Sequence, residues 1–308
     1  MTHNSLYPMM FWGDLASLAS ALSWSMGMIC LRQAGHFLDS LTLTLAKNLL
    51  AMVYFAIAFM VLSENWLPTA HRMDWLPLFL SGVVGIAVGD LLFLAALRRL
   101  GATLQALVDC LYAPLVVILA AVFTGETLNL VEVVGGALVL GSIFVAFNRP
   151  LENNPIENTA LKAGFFFGVG AQFCSALSIF ALRDHLLRGS VLQVTAYRFL
   201  FGTLLLLPIW LARTPQALSQ TTARRGRLTR SAALWLVLGA FFGPFLAIYL
   251  WLLGFKWTSA PRSAILNQMA TVFTVILAAI ILKEEITPRK LVAVGLGAVG
   301  SALIGFYS

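Results

Sequence analysis

The chain has 308 residues, 60% of them hydrophobic and only 11% charged, and its mean hydropathy is +0.88. A water-soluble domain carries charge on about a quarter of its residues; here the apolar residues run in long uninterrupted stretches that need lipid around them, which excludes an ordinary soluble fold. The net charge of +7 does not point to nucleic acid, because the lysines and arginines fill the gaps between apolar runs and form no stripe interleaved with aromatics.

Taken in chain order, the runs predict ten helical spans at about 12–31, 40–62, 75–96, 102–123, 130–147, 161–181, 191–212, 232–254, 261–282 and 290–307. About 20 apolar residues cross the roughly 30 Å hydrocarbon layer as a helix whose backbone groups are satisfied internally. Met1 to Pro8 holds no lysine or arginine, so the first span is expected to stay rather than be cleaved as a leader. Most connections are short, so successive helices pack as antiparallel neighbours. The longer ones are Asn148 to Ala160 and Arg213 to Ser231, the latter with Arg224, Arg225, Arg227 and Arg230. Cys30, Cys110 and Cys174 lie inside apolar runs without metal or disulfide spacing and read as small packing residues.

The two ends of the chain echo each other. Ile118 to Glu126 reads ILAAVFTGE and Ile276 to Glu284 reads ILAAIILKE, 158 positions on; earlier, Leu31-Arg32 matches Leu182-Arg183, Thr44 matches Thr195 and Lys47 matches Arg198, 151 positions on. The predicted fold is therefore an all-α polytopic membrane protein with ten transmembrane helices arranged as a 5+5 inverted repeat. Residues 1–147 form the first five-helix unit, 148–160 a connecting loop and 161–308 the second unit. Five is odd, so the second unit begins on the opposite side of the membrane, as in many secondary transporters. Lysine and arginine are denser in the loops facing away from the termini, which by charge alone places both ends outside the cytoplasm.

Polar residues inside hydrocarbon are the candidate site. Asp109 lies about two turns into the fourth span, where an ionised carboxylate facing lipid would cost several kcal/mol; its repeat mate is Asn267. The pair reads either as a proton or substrate contact in a central cavity or as interhelical hydrogen bonding. Lys47 and Arg198 are matched basic residues that either snorkel to headgroups or line the cavity entrance and attract an anionic or zwitterionic solute. Asp90 in the third span either pairs with a nearby base or faces the cavity. Gln105, Gln172, Asn48, Gln268 and Tyr249 are further polar groups for solute orientation, and Trp24, Tyr112 and Trp251 are rings able to stack on a ligand, each also readable as packing. Pro114 and Pro244 read as kinks or hinges. Gly85 and Gly89, like Gly164 and Gly168, are GxxxG pairs for close helix approach. Gly135, Gly136 and Gly141, with Gly295, Gly297 and Gly300, thin the surfaces of spans 5 and 10.

The combination of Pro114-x₁₁-Glu126, the glycines of the fifth span, and Lys283-Glu284 followed by Gly295, Gly297 and Gly300 resembles the EamA-type members of the drug/metabolite transporter superfamily. Two positions depart from it: Val272 stands where Pro114 would repeat, and Lys283 where Gly125 would. The resemblance implies a carrier in the cytoplasmic (inner) membrane, often an exporter of amino acids or other metabolites, with a central cavity between its halves and commonly both termini in the cytoplasm, against the charge count. A secondary transporter of a small polar metabolite is the expected function, with a non-transporting scaffold or channel-like protein as the alternative. An enzyme is not expected: His3, His36, His71 and His185 all lie in termini or loops, and no HExxH, GxSxG or P-loop is present. No metal or cofactor is expected beyond a coupling proton. The partners are a small-molecule substrate and the lipid bilayer, with no nucleic acid, and the chain acts as a monomer or homodimer.

Overall fold

The computed structural model describes residues 3–66, 75–124, 130–147, 155–180, 182, 190–213, 229–257 and 260–307. Its elements in order are α1 (His3–Ala34), α2 (Ser40–Leu62), α3 (Trp75–Ser81), a π-helical segment Gly82–Gly89, α4 (Asp90–Leu100), α5 (Ala102–Asp109), α6 (Tyr112–Thr124), α7 (Leu130–Phe147), α8 (Pro155–Phe180), α9 (Val191–Leu211), α10 (Arg230–Ala240), a second π-helical segment Phe241–Ala247, α11 (Ile248–Trp257), α12 (Ala260–Ile281) and α13 (Pro288–Tyr307). No strand occurs among the described residues. Among the described residues, six helical stretches are long and apolar enough to cross a membrane: Phe11–Ala34, Ser40–Leu62, Trp75–Asp109, Asn158–Ile179, Val191–Leu211 and Arg230–Gly254; Tyr112–Phe123, Val133–Ala146 and Leu266–Ile281 are shorter apolar helices. Gly125, Glu126, His71, His185, Arg183 and the arginines at 224, 225 and 227 lie outside the described residues.

The distribution of side chains is that of a protein surrounded by lipid. Large apolar residues such as Val61, Val122, Phe144, Phe166 and Ile280 are exposed, while Ser17, Thr44, Lys47, Asn48, Gln105, Thr195 and Arg198 are buried. Water would reverse that order, because apolar surface left in water is unfavourable. The chain is a multi-pass membrane protein.

Three expected spans are less regular than their composition predicts. The fourth is broken at Cys110-Leu111, between α5 and α6. Pro114 has no N–H and its ring crowds the carbonyl four residues back, which is that of Cys110. That carbonyl instead accepts from Ser301 Oγ of α13 at 3.4 Å. The third and eighth spans each carry a π-helical segment at their centre, a wide turn frequent at functional sites; Pro244 lies inside the second.

Repeat-matched helices meet in antiparallel pairs. Trp210 Nε1 near the end of α9 donates to Thr42 Oγ1 at the start of α2 at 3.1 Å, while at the other end Gln193 Nε2 donates to the Asn65 carbonyl at 2.7 Å and Tyr197 Oη to the Trp66 carbonyl at 2.7 Å; Ser190 Oγ donates to Glu64 there. Helices α7 and α13 also run antiparallel. A Cβ on Gly135 would lie 2.7 Å from the Gly300 carbonyl, and Arg289 Nε donates to the Val145 carbonyl at 2.6 Å. Of the other glycines there, Gly297 faces Ser142 and Gly136 has ordinary contact with Pro114, but Gly141 and Gly295 face open space, which corrects their reading as packing surfaces. Glu284 bridges the halves at one end, accepting from Ala102 N at 2.9 Å, Thr103 N at 3.2 Å and Thr103 Oγ1 at 2.7 Å. Gly101, at φ +82° beside this carboxylate, makes the turn into α5 without the strain a side chain would bring.

Asp39 begins α2 by accepting from Leu41 N at 3.0 Å and Thr42 N at 3.1 Å, an N-cap with its usual donors. It also accepts from Arg213 Nη1 at 3.0 Å. Burial pushes its carboxyl up, but the bonds from Arg213 and Thr42 outweigh burial and hold it below the ordinary carboxylate value. A depressed carboxylate stabilises the fold above its unfolded pKa and loses that contribution as pH falls through the folded one. Asp39→Ala is therefore expected to cost about 1 kcal/mol near neutral pH, and the gap to the parent should close on acidification; thermal unfolding of both proteins across the acid range measures it.

Candidate functional site

A cavity of about 190 Å³ lies between the halves. Its walls come from α1, the first π segment and α4, the α5–α6 break, α8, α9, the junction of the second π segment with α11, and α12. Helix α1 packs on the second π segment, α10, α11 and α12, and α8 packs on the first π segment, α4, α5 and α6. The approach is backbone to backbone where it is closest: a Cβ on Gly27 would sit 2.5 Å from Gly243 Cα. Serines of α1 satisfy carbonyls of the distorted helix opposite, Ser23 Oγ donating to Phe242 at 2.7 Å and Ser20 Oγ to Ala247 at 2.8 Å.

Asp109 ends α5 at the helix break. Its Oδ1 accepts from Gln105 Nε2 at 2.8 Å and Gln172 Nε2 at 2.5 Å, and its Oδ2 is buried with no protein partner. The repeat mate Asn267 lies on the same wall, its Oδ1 3.4 Å from Ser20 Oγ. Arg198 approaches from α9, only 4% exposed. Its Nη2 donates to Ser178 Oγ at 3.1 Å, and its Nε is buried without a partner. Lys47 Nζ is 2.5 Å from Asp90 Oδ2, donates to Asn48 Oδ1 at 2.8 Å and lies over the Phe199 ring at 5.5 Å. Rings form the apolar part of the wall: Trp24 meets Phe93 at 5.5 Å and Tyr112 meets Trp251 edge-on at 6.2 Å.

The structure thus brings Asp109, Asn267, Arg198, Asp90, Gln172, Gln268, Tyr112, Trp24, Trp251 and Gly85 to one cavity. Gln105 and Lys47 stand behind it and act through Asp109 and Asp90. Lys47 is buried rather than reaching for headgroups. Tyr249 packs against the cluster around Phe55 and Phe199 and is not on the wall. Gly89 faces Cys174 and Gly168 faces Val108, so both seat helices closely. Ser20, Ser175, Ser178, Thr271 and Thr274 also line the cavity and were not singled out from the sequence. Their signal was the three-residue spacing of small hydroxyls, which marks one face of a helix. No cluster of three or more His, Cys, Asp or Glu side chains among the described residues fits a metal ion.

Gly85 has a more particular use than close approach. A Cβ there would lie 2.4 Å from Ser178 Oγ and 3.2 Å from Arg198 Nη2. Gly85→Ala is expected to push Ser178 off Arg198 at an overpacking cost of about 1–3 kcal/mol. Adding Ser178→Gly should restore most of that loss, as read by thermal unfolding of the two variants.

A model of the EamA-like transporter family matches residues 11–148 and again 162–306. An uncharacterized transporter from Archaeoglobus fulgidus is 26% identical over 286 residues, covering 89% of this chain and 91% of that protein. A solved crystal structure superposes with a TM-score of 0.68 at 19% identity, covering 94% of this chain and 95% of the other, a likeness of fold.

Proposed function

This chain belongs to the EamA-like transporter family, and from that premise we propose that it is a secondary transporter carrying a small polar metabolite, an amino acid or related organic anion, across the cytoplasmic membrane by alternating access. The observation that carries the reading is the cavity between the halves with three buried polar atoms on its lining residues that no protein group satisfies, Arg198 Nε, Asp109 Oδ2 and Thr274 Oγ1. Buried polar atoms are paired almost everywhere in proteins; an unpaired guanidinium N–H, carboxylate oxygen and hydroxyl around one cavity are places for a solute's anionic group, for a proton or a solute N–H, and for a further solute hydrogen bond. The aromatic wall accommodates the solute's apolar part.

The tandem family matches and the antiparallel pairing of α2 with α9 and of α7 with α13 support ten spans in a 5+5 inverted repeat. Such halves exchange roles when the cavity changes sides. The two π segments and the Pro114 break flank the cavity, where helices already distorted can bend at little further cost. Asp109, held on one oxygen and open on the other, is the proton carrier in this reading.

The test is uptake into proteoliposomes of a labelled panel of acidic, zwitterionic and neutral amino acids and of monocarboxylates, with the parent and Arg198→Gln. Loss of one charge-assisted contact of about 1.5–3 kcal/mol weakens anionic solutes roughly tenfold to a hundredfold and neutral ones little. Uptake no greater than in empty liposomes for the whole panel would overturn the reading.

A further inference from the structure

Lys47 and Arg198 occupy matching repeat positions and are both buried, yet their surroundings differ. Lys47 is off the cavity wall and neutralised by Asp90 Oδ2 at 2.5 Å. Arg198 is on the wall and has no ion pair among the described residues; its polar contact is the neutral Ser178 hydroxyl. Asp90 is on the wall as well. One carboxylate therefore lines the same cavity as one buried cation and is bonded to the other, which lies off the wall. In the second half the position repeating Asp90 is the apolar Ile248.

We propose that Lys47 is a specificity-determining residue that acts at a distance: by holding Asp90 it prevents that carboxylate from neutralising Arg198, and so keeps a positive pole on the cavity wall for solutes bearing an anionic group. The inference rests on the reading of Arg198 as a solute contact, and it deepens that reading by assigning the selectivity to a residue the solute does not touch. Lys47 holds Asp90 with a short ion pair, reinforced by Asn48 and the Phe199 ring, in surroundings where water competes little for either charge. Without the ammonium, Asp90 has one buried cation left to compensate, and the wall becomes neutral.

The sign of the cavity potential can be read without knowing the solute. In the full chain with Cys30, Cys110 and Cys174 changed to alanine, Ser175→Cys places a reporter thiol on the wall one turn from Ser178. Its labelling rates by an anionic and a cationic methanethiosulfonate of similar size report the local potential. The anionic reagent is expected to react roughly tenfold faster, since like-charged walls concentrate opposite charge. Lys47→Met should abolish that preference, Lys47→Arg should keep it, Lys47→Met with Asp90→Asn should regain it, and Asp90→Asn alone should raise it. A reporter without anionic preference, a Lys47→Met variant that keeps it, or a double variant that fails to regain it each overturns the proposal. Reagent ratios that behave as expected, together with a solute panel showing no anion preference, would leave standing only the electrostatic effect of Lys47 on the cavity, and would defeat both the transport reading of Arg198 and the specificity role of Lys47 that rests on it.

Discussion

Asp109→Asn is expected to abolish proton-driven accumulation of solute while leaving the protein folded in the membrane. The amide is nearly isosteric, and its oxygen still accepts from Gln105 and Gln172 as Asp109 Oδ1 does. Only the second oxygen changes, from an acceptor with no protein partner to an N–H₂ group that cannot take up a proton. A residue bonding neighbouring helices would therefore lose little, and a proton carrier would lose its chemistry. Proteoliposomes loaded with labelled solute separate the two roles: the variant should exchange solute across the membrane with no pH gradient, but fail to concentrate it when a gradient is imposed. Equal accumulation by variant and parent would remove Asp109 from the coupling role. Uptake in the parent that ignores the pH gradient would remove the proton itself.

Gly27→Val is expected to give the largest loss of stability. The first added carbon would fall 2.5 Å from both Cα and N of Gly243 and 3.1 Å from the Phe242 carbonyl carbon. Backbone cannot rotate away as a side chain does, so α1 and the second π segment must separate. Overpacking alone costs about 1–3 kcal/mol, and separation would also stretch the Ser20 and Ser23 hydrogen bonds to Ala247 and Phe242, each worth about 1 kcal/mol. The expected result is loss of the monodisperse peak in gel filtration or a strongly lowered melting temperature. Gly295→Ala is the comparison, since a Cβ there meets nothing within 4 Å, and it should leave both measurements unchanged. The contact has a counterpart in the other half: 151 positions after Gly27 stands Ser178, 158 after Gly85 stands Gly243, and Ser178 packs on Gly85. There the site has exchanged one glycine for a hydroxyl that holds Arg198.

The membrane class, the helical stretches and the matched pairs Asp109 with Asn267 and Lys47 with Arg198 were legible in the sequence, because apolar run length reports the thickness of hydrocarbon and a duplicated chain repeats its polar exceptions. Proline chemistry marked Pro114 as a disturbance, but a kink and a full break read alike until the Ser301 hydroxyl that rescues the Cys110 carbonyl is placed. The serines and threonines of the wall are harder to read: their three-residue spacing marks a helix face, but a small hydroxyl can bond its own helix, as Ser25 does to Ala21, and the spacing does not say whether that face meets the cavity or a neighbouring helix.

What the sequence determined by itself is the composition of each helix and the inventory of polar groups that lipid will not tolerate, since the cost of exposing a charge to hydrocarbon depends on the residue and its place along a span. Which cation faces the cavity and which is held in an ion pair behind it was decided by the tertiary structure. Lys47 and Arg198 are equivalent in the chain, and only the packing of α2 and α9 around one carboxylate from the third span makes one of them silent and leaves the other open. Charge compensation depends on distances of a few ångström between residues 43 and more positions apart, and no local pattern encodes them.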